Sequence, residues 1–389
     1  MMEPHKLTIE VVDSISAINE SDWQSCTDGY PFSNYHFLSA LEESGSVGRA
    51  DTGWIPQHFI VKDSNEAVLG FMPAYLKLHS QGEYVFDHGW AEAYERAGGR
   101  YYPKLQCSIP FTPATGPRLL ARQSLSDTDT QLVKNALLEG ARSYCLQQQL
   151  SSFHCTFMTD GESHIALKQG YLLRHDQQFH WYNDEYKDFT DFLLSLSSRK
   201  RKQIKKERRI SQHKDLVIKQ LTGHEMTEDY WDVFFQCYCD TGARKWGQPY
   251  LTRDFFELIG NKMPEKIMVV YVETTTGSPV ASALNFIGKE AIYGRHWGEL
   301  IHYDCLHFEA CYYQAIDYAI KNKIGRVEAG AQGPHKVARG YRPTKTTSAH
   351  YLSDPGFHKA VHAFLESEHQ HVDHEIEYLS DHLPFKKSE

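Results

Sequence analysis

The sequence has no run of 18 or more apolar residues, so no stretch of it is long enough to cross a bilayer as a helix. Its opening, MMEPHKLTIEVVDS, has neither an apolar core nor a small-residue cleavage site, and nothing there reads as a secretory leader. No two cysteines form a CxxC pair. The eight present are scattered, which in a chain this long points to reduced thiols and a cytoplasmic setting rather than a disulfide framework. There is no HExxH and no finger-type Cys/His spacing, so the 22 histidines predict no metal centre; those near the C-terminus read as a solvated helix face. GxSxG is missing too, which removes the usual serine elbow and favours direct attack with no covalent enzyme intermediate. An excess of positive charge is also lacking: 50 acidic against 41 basic residues give a net charge of -9, unlike a protein devoted to duplex nucleic acid.

What is present suits a globular protein with substantial cores: 389 residues, 41% hydrophobic and 13% aromatic, with 23 tyrosines. The length predicts two domains. The first half reads as a strand at 7–12, a helix at 34–43, a meander (58–61, 67–78, 84–86), a proline-broken loop over 87–118, a helix at 127–149 and a strand at 153–158. The second half repeats the order, with a helix at 230–238, a meander (267–273, 279–287, 291–297), a helix at 308–321, a strand at 326–329 and a C-terminal helix at 357–378. Helix, meander, helix, strand is the order of an acyltransferase-type α/β domain. The expected fold is therefore α/β (α+β), with two tandem domains at 1–175 and 176–389. The charged stretch 182–209 is expected to link them.

Several long blocks carry a family resemblance. They include GWIP (53–56), YLKLHSQGEYVFDHGWAEAYERAGGRYYPKLQ (75–106), PFTPATGPRLL (110–120), LSSRKRKQIKKERR (196–209), ARKWGQPYLT (243–252), GRHWGELIHYDCLHFEACYYQAIDYA (294–319), EAGAQGPHKVARGYRP (328–343) and SAHYLSDPGF (348–357). Together they resemble the FemAB-like proteins of the GNAT acyltransferase superfamily, associated with peptidoglycan biosynthesis or recognition. The resemblance implies two GNAT-like domains. It also implies transfer of an aminoacyl or acyl group to an amine acceptor such as a cell-wall precursor, with aminoacyl-tRNA or acyl-CoA as co-substrate. Acyl-CoA-dependent N-acetyltransfer and non-catalytic ligand recognition on the same fold remain open. The strand-to-helix junction ELIHYDCLHFE lacks the glycine pair of an acetyl-CoA loop, so its backbone N–H groups cannot easily cradle a pyrophosphate.

The loudest local feature is the basic run near 199–210. At helical spacing it places Arg201, Lys205 and Arg208 on one face and Lys202 on the next. Such a helix suits phosphates, a tRNA backbone or a pyrophosphate. It equally fits a solvated helix paired with the protein's own carboxylates. In GAQGPHKVARGYRP, Lys336, Arg339 and Arg342 are candidates to hold a donor or acceptor anion. The FemABX-type proteins carry a cationic motif beside a glycine-aromatic pair, which ARGYRP resembles; a structural turn with exposed cations is the other reading. Proton removal from the amine falls to His296, Glu299, Glu328 or His335, polar residues at or just past predicted strand ends. Asp87, His88 and Trp90 form a polar and stacking wall for an acceptor, or else belong to an aromatic-rich seam.

Overall fold

The computed structural model describes residues 7–245 and 249–386. Trp246, Gly247 and Gln248, inside one of the family-like blocks, lie outside the described residues. The chain divides into two compact units, residues up to 176 with Thr346–Val372, and Gln177–Lys345 with residues from 373 onward.

The first unit holds an antiparallel sheet of Thr8–Val12, His58–Lys62, Val68–Met72 and Leu120–Ala121. Beside it runs a second series: Trp54–Pro56, Tyr75–Lys77, Lys104–Cys107 and Ser152–Met158, with residues 347–352 of Arg342–Leu352 at the end. Helix Asp127–Gln147 packs on both. The side chain of Ser126 accepts from Asp129 N–H at its N-terminus, and Asp127 and Asp129 in its first turn favour the helix dipole. Its stripe Val133, Leu137, Leu138, Ala141 and Cys145 is buried against Phe59, Val61, Leu105, Cys107, Phe153 and Cys155. At ~25 cal/mol per Å², each large side chain in such a core contributes about 1.5–3 kcal/mol.

Two expectations change here. The stretch 87–118 is not all loop: it contains helix His88–Arg96 and strand Lys104–Cys107, while 84–86 is not a strand. The chain after 176 is not one unit either. Thr347–Leu352 pairs with Ser152–Met158, and Val361 and Leu365 of helix Pro355–Asp381 bury against Trp90, Tyr101 and Leu172. The apolar stripe of a late helix thus finds its partners in the first unit.

In the second unit, Leu216–Thr222, Ile267–Thr274, Pro279–Ile287 and Ala291–Glu299 form an antiparallel meander. Arg326–Glu328 joins Ala291–Tyr293 in parallel, and residues 180–182 of strand Leu172–Tyr182 pair with its other side. Helix Glu228–Lys245 lies on the meander so closely that a Cβ at Gly298 would fall 1.9 Å from the carbonyl oxygen of Cys237. Only glycine fits that approach. A helix with a π-helical turn (Leu306–Phe308, Glu309–Tyr313, Gln314–Lys321) packs its Tyr312, Tyr313, Ile316 and Ile320 against Ile292, Val327 and Trp181. The stretch expected as a link holds two helices, Phe189–Ser195 and Ser198–Ser211, rooted in the same core by Phe192, Leu193 and Ile204. No helix of the described residues is long and apolar enough to cross a membrane.

Candidate functional site

In the second unit's sheet the parallel pair is short. Ala291–Glu299 matches Arg326–Glu328 through Ala291, Ile292 and Tyr293 only, then runs on for six more residues. Its other edge stays paired to Pro279–Ile287 as far as Glu299. There the register slips: Leu284 faces His296 while Asn285 faces Gly294, so Arg295 is an extra residue in a bulge. Bulges bend a strand and re-aim its side chains. The strands therefore part beyond Tyr293 and Glu328: Ala291–Glu299 continues along Pro279–Ile287, while Ala329 N–H donates to the Phe179 carbonyl and the carbonyls of Ala329 and Gly330 accept from Lys336.

Glu328 stands at the last rung of that pair, 3% exposed. Its Oε1 accepts from Arg326 Nε at 2.8 Å. Its Oε2 has no hydrogen-bond partner and lies 3.7 Å from His180 Nε2. Tyr293, Glu328 and His180 occupy directly opposed positions on three adjacent strands, so their side chains share a face. Burial holds the His180 imidazole below its ordinary value, and Arg326 and Lys336 push the same way against the pull of Glu328. The ring is thus neutral near pH 7, next to a buried carboxylate with a free lone pair.

The other proposed bases sit differently. His296 follows the bulge, its ring edge-on to Tyr238 at 4.9 Å and Phe256 at 6.0 Å. Burial, reinforced by Arg295, keeps it well below the usual histidine value. Glu299 Oε1 is 2.9 Å from His302 Nδ1, and its Oε2 is buried without a partner. His335 is exposed, 3.0 Å from the Tyr312 hydroxyl and against the Phe308 ring. Partial burial, then Arg339 and Lys336, lower its pKa.

The cations of the glycine-rich segment are largely committed to the protein itself. Lys336 is 4% exposed and donates to the carbonyls of Ala329 (2.5 Å) and Gly330 (3.2 Å). Arg339 is 3% exposed, pairs with Glu207 at 2.9 Å, donates to His335 O and lies 3.4 Å over the Phe308 ring. Glu207 also accepts from the Tyr313 hydroxyl. Arg342 pairs with Asp184 at 2.5 Å. Lys336 and Arg339 brace the loop after Arg326–Glu328; direct contact with an anion would require giving up these bonds.

The basic run does form a helix, Ser198–Ser211, and its two sides differ. Ile204, Glu207 and Ser211 are buried. Arg208 turns inward, paired with Glu309 (2.9 Å) and Asp317 (2.7 Å) and stacked 4.3 Å over Phe189. Arg201 is half-buried, near Ser198 Oγ at 3.4 Å. Lys202, Lys205, Lys206 and Arg209 are exposed, with no ion pair among the described residues. A shallow depression of about 450 Å³ lies alongside, lined by Phe189, Leu193, Lys205, Arg208, Arg209 and Gln212.

In the first unit, the proposed wall divides between interior and surface. His88 is exposed and stacks on Phe86. Trp90 is buried, edge-on to His350 at 5.0 Å, with the Arg174 guanidinium 4.9 Å from its ring. Asp87 is 2% exposed and accepts from Ser80, Tyr101 and Lys104. Burial alone would raise its pKa, but Lys104 and His154 outweigh that and hold it far below the carboxylate range. Lys104 also binds Glu83 at 2.7 Å, and Lys77 lies 3.8 Å from the same carboxylate. Burial pushes Glu83 up to about 7 and Lys77 down to about 7. His154 Nδ1 meets His350 Nδ1 at 2.7 Å, and burial lowers His154 to about 3.

His180, Lys77, Glu83, His154 and His350 were absent from the sequence-derived candidates. A signal existed for some of them. In Gln178–Tyr182, polar Gln178, His180 and Tyr182 alternate with Phe179 and Trp181, the period of a strand with one polar face.

A duplicated α/β scaffold with a meander, a bulged strand and a splayed parallel pair is that of tandem GNAT proteins. The profile of the FemAB-like family, described as peptidoglycan biosynthesis/recognition, matches residues 14–387, and the chain belongs to that family. Among solved structures, FemX is similar at 12% identity and a TM-score of 0.55, covering 91% of this chain and 100% of FemX. The C-terminal domain of a putative lysylphosphatidylglycerol synthetase from Agrobacterium fabrum aligns at 7% identity and a TM-score of 0.54, covering 89% and 96%. A tandem GNAT protein from the clavulanic acid biosynthesis pathway aligns over 90% of this chain and 99% of its own, at 11% identity and a TM-score of 0.48. No curated protein matches the chain.

Proposed function

We propose that the protein transfers an aminoacyl or acyl group to an amine, with a cell-wall precursor as the acceptor class that its family suggests. The observation that carries this reading is the buried Glu328 side chain, one oxygen unpartnered, where the parallel pairing of the two strands ends. Amine attack on an activated carbonyl needs N–H donors for the developing oxyanion and an acceptor for the amine proton. On this reading the backbone N–H groups of Ala291–Glu299 beyond Tyr293 take the first task. Glu328 Oε2, unpartnered and beside neutral His180, is suited to the second. On this reading the exposed cations Lys202, Lys205, Lys206 and Arg209, with Arg201 beside them, meet the phosphates of the donor, which favours aminoacyl-tRNA. The missing glycine pair in ELIHYDCLHFE speaks against acetyl-CoA.

The test is amine-dependent consumption of the donor. Charged tRNA and acyl-CoA are each incubated with the protein and a panel of amines, and products are read by mass spectrometry. Turnover with charged tRNA is expected. Glu328→Gln should lower kcat by about 10²–10⁴ while tRNA binding holds. Saturable binding with no turnover on either donor would make the protein a recognition module. Unchanged turnover in Glu328→Gln would remove Glu328 as the base.

A further inference from the structure

The cations of helix Ser198–Ser211 are not balanced from within the helix. Glu207 is its one acid, and it is turned inward onto Arg339 and Tyr313. Lys202, Lys205, Lys206 and Arg209 face outward, exposed, three and four residues apart. Like charges at those spacings repel across the helix surface and destabilise it. Attraction to the C-terminal dipole accounts for Arg209 in the last turn, but not for Lys202, Lys205 or Lys206 further back. An anion laid along this face would relieve the repulsion.

A second helix turns part of this face into one side of the open depression of about 450 Å³. Phe189 and Leu193, one turn apart on helix Phe189–Ser195, supply the apolar wall. Lys205, Arg208, Arg209 and Gln212, at one-face spacing, supply the polar wall. Arg208 is the fixed member. It lies 4.3 Å over the Phe189 ring and pairs with Glu309 and Asp317, so its charge is spent inside the protein. One guanidinium there meets two carboxylates, and that end offers an anion no attraction. Lys205 and Arg209, one turn apart and exposed, are without an ion pair among the described residues. The depression is therefore polarised, with an anion-attracting rim beside an apolar wall.

We propose that this depression takes one nucleotide unit of single-stranded RNA, its phosphate between Lys205 and Arg209 and its base against Phe189 and Leu193. The proposal deepens the charged-tRNA reading and rests on it for the choice of RNA. The volume falls within the roughly 300–1,000 Å³ of small-molecule sites, more than a bare phosphate fills. Two apolar side chains are too short a wall for an acyl chain, but they match the face of one base. Gln212 adds an amide that donates and accepts, as base edges do. A cationic track beside an aromatic contact is the general form of a single-strand site. The depression is open, so the chain can continue past the bound unit, toward the exposed Lys202 and Lys206.

The experiment is ligand-observed NMR on the full chain with AMP, CMP, GMP and UMP. Their nucleosides, inorganic phosphate and glycerol 3-phosphate are the comparators, and tRNA binding is measured alongside at several salt concentrations. At least one nucleotide should bind about tenfold more tightly than its nucleoside and than either simple phosphate. Lys205→Ala should weaken nucleotide binding about tenfold, and the residue is exposed, so the variant folds. Phe189→Leu should weaken nucleotides and leave inorganic phosphate unchanged; Lys205→Ala decides the matter if Phe189→Leu fails to fold. Inorganic phosphate or glycerol 3-phosphate bound as tightly as every nucleotide overturns the proposal, and so does nucleotide binding indifferent to Lys205→Ala. Salt-dependent tRNA binding with no nucleotide bound at about 10 mM overturns it too, while leaving the donor reading intact. Nucleotide binding lost in Lys205→Ala, with charged tRNA never consumed, upholds the site and removes that donor.

Discussion

Replacing Lys104 by methionine removes the cation on which the first unit's buried charges depend. Lys104 is fully buried and touches Asp87 and Glu83, themselves 2% and 1% exposed. The substitution roughly keeps volume, so packing loss is small. What remains is two carboxylates without their shared partner, and breaking a buried pair from one side costs about 3–5 kcal/mol. For a unit of about 200 residues, at about 2–4 °C per kcal/mol, the melting temperature should fall by roughly 6–20 °C. The sign of the pH dependence follows from Glu83. Burial already raises its folded pKa to about 7, above its unfolded value, so its ionised form opposes folding as pH rises through that range. Lys104 counters this, and without it the folded pKa climbs further. The deficit of Lys104→Met should therefore be largest above pH 7 and shrink toward pH 5. Urea denaturation at several pH values measures it, and adding Glu83→Gln and Asp87→Asn should recover most of the loss. A single-variant loss under 1 kcal/mol, or a triple variant no more stable than the single, would refute the reasoning.

Other outcomes follow from single contacts. Gly298→Ala places a Cβ 1.9 Å from the Cys237 carbonyl oxygen and should destabilise the second unit by several kcal/mol, read as a lowered urea midpoint. Glu207→Gln leaves the Arg339 guanidinium, 3% exposed, without its carboxylate and should cost about 3 kcal/mol, with Arg339→Met partly compensating in a double-mutant cycle. Lys205→Glu with Arg209→Glu removes two exposed cations. If tRNA phosphates meet them, the slope of log affinity against log salt should fall by about 1–2; an unchanged slope would separate the helix from phosphate binding.

Much of the fold was readable because its periodicities are local. The stripe Val133, Leu137 and Ala141 and the runs IMVVYVE and PVASALNFI announce their elements and are buried as expected. The return of Thr346–Val372 to the first unit was not readable, since it depends on which distant surface offers Val361 and Leu365 a partner. The same division holds at the sites. Glu328 was legible as a polar residue ending a short strand. The inward turn of Arg208, Lys336 and Arg339 was not, because each is fixed by an acid or carbonyl far away or by a loop's exact path: Glu309 and Asp317, Ala329 and Gly330, Glu207.

The segment KLQC at 104–107 shows the limit most clearly. Its neighbouring prolines read as loop, yet its alternation is that of the strand it forms, with one apolar and one polar side. Alternation alone then assigns the polar side to solvent, because hydration is the cheapest way to satisfy lysine and glutamine. This strand does otherwise: all four residues are buried, and Lys104 and Gln106 face the interior. Near Lys104 the loss of hydration is offset by Asp87, Glu83 and Ser80. At Gln106, two residues on, no protein group offsets it. An apolar residue there would fold more stably, so selection for stability does not account for the glutamine. Natural proteins depart from their stability optimum chiefly where function requires it. That asymmetry between two neighbours on one strand, a lysine braced by acids and a glutamine amide without a partner, is set by residues distant in sequence and is invisible to alternation.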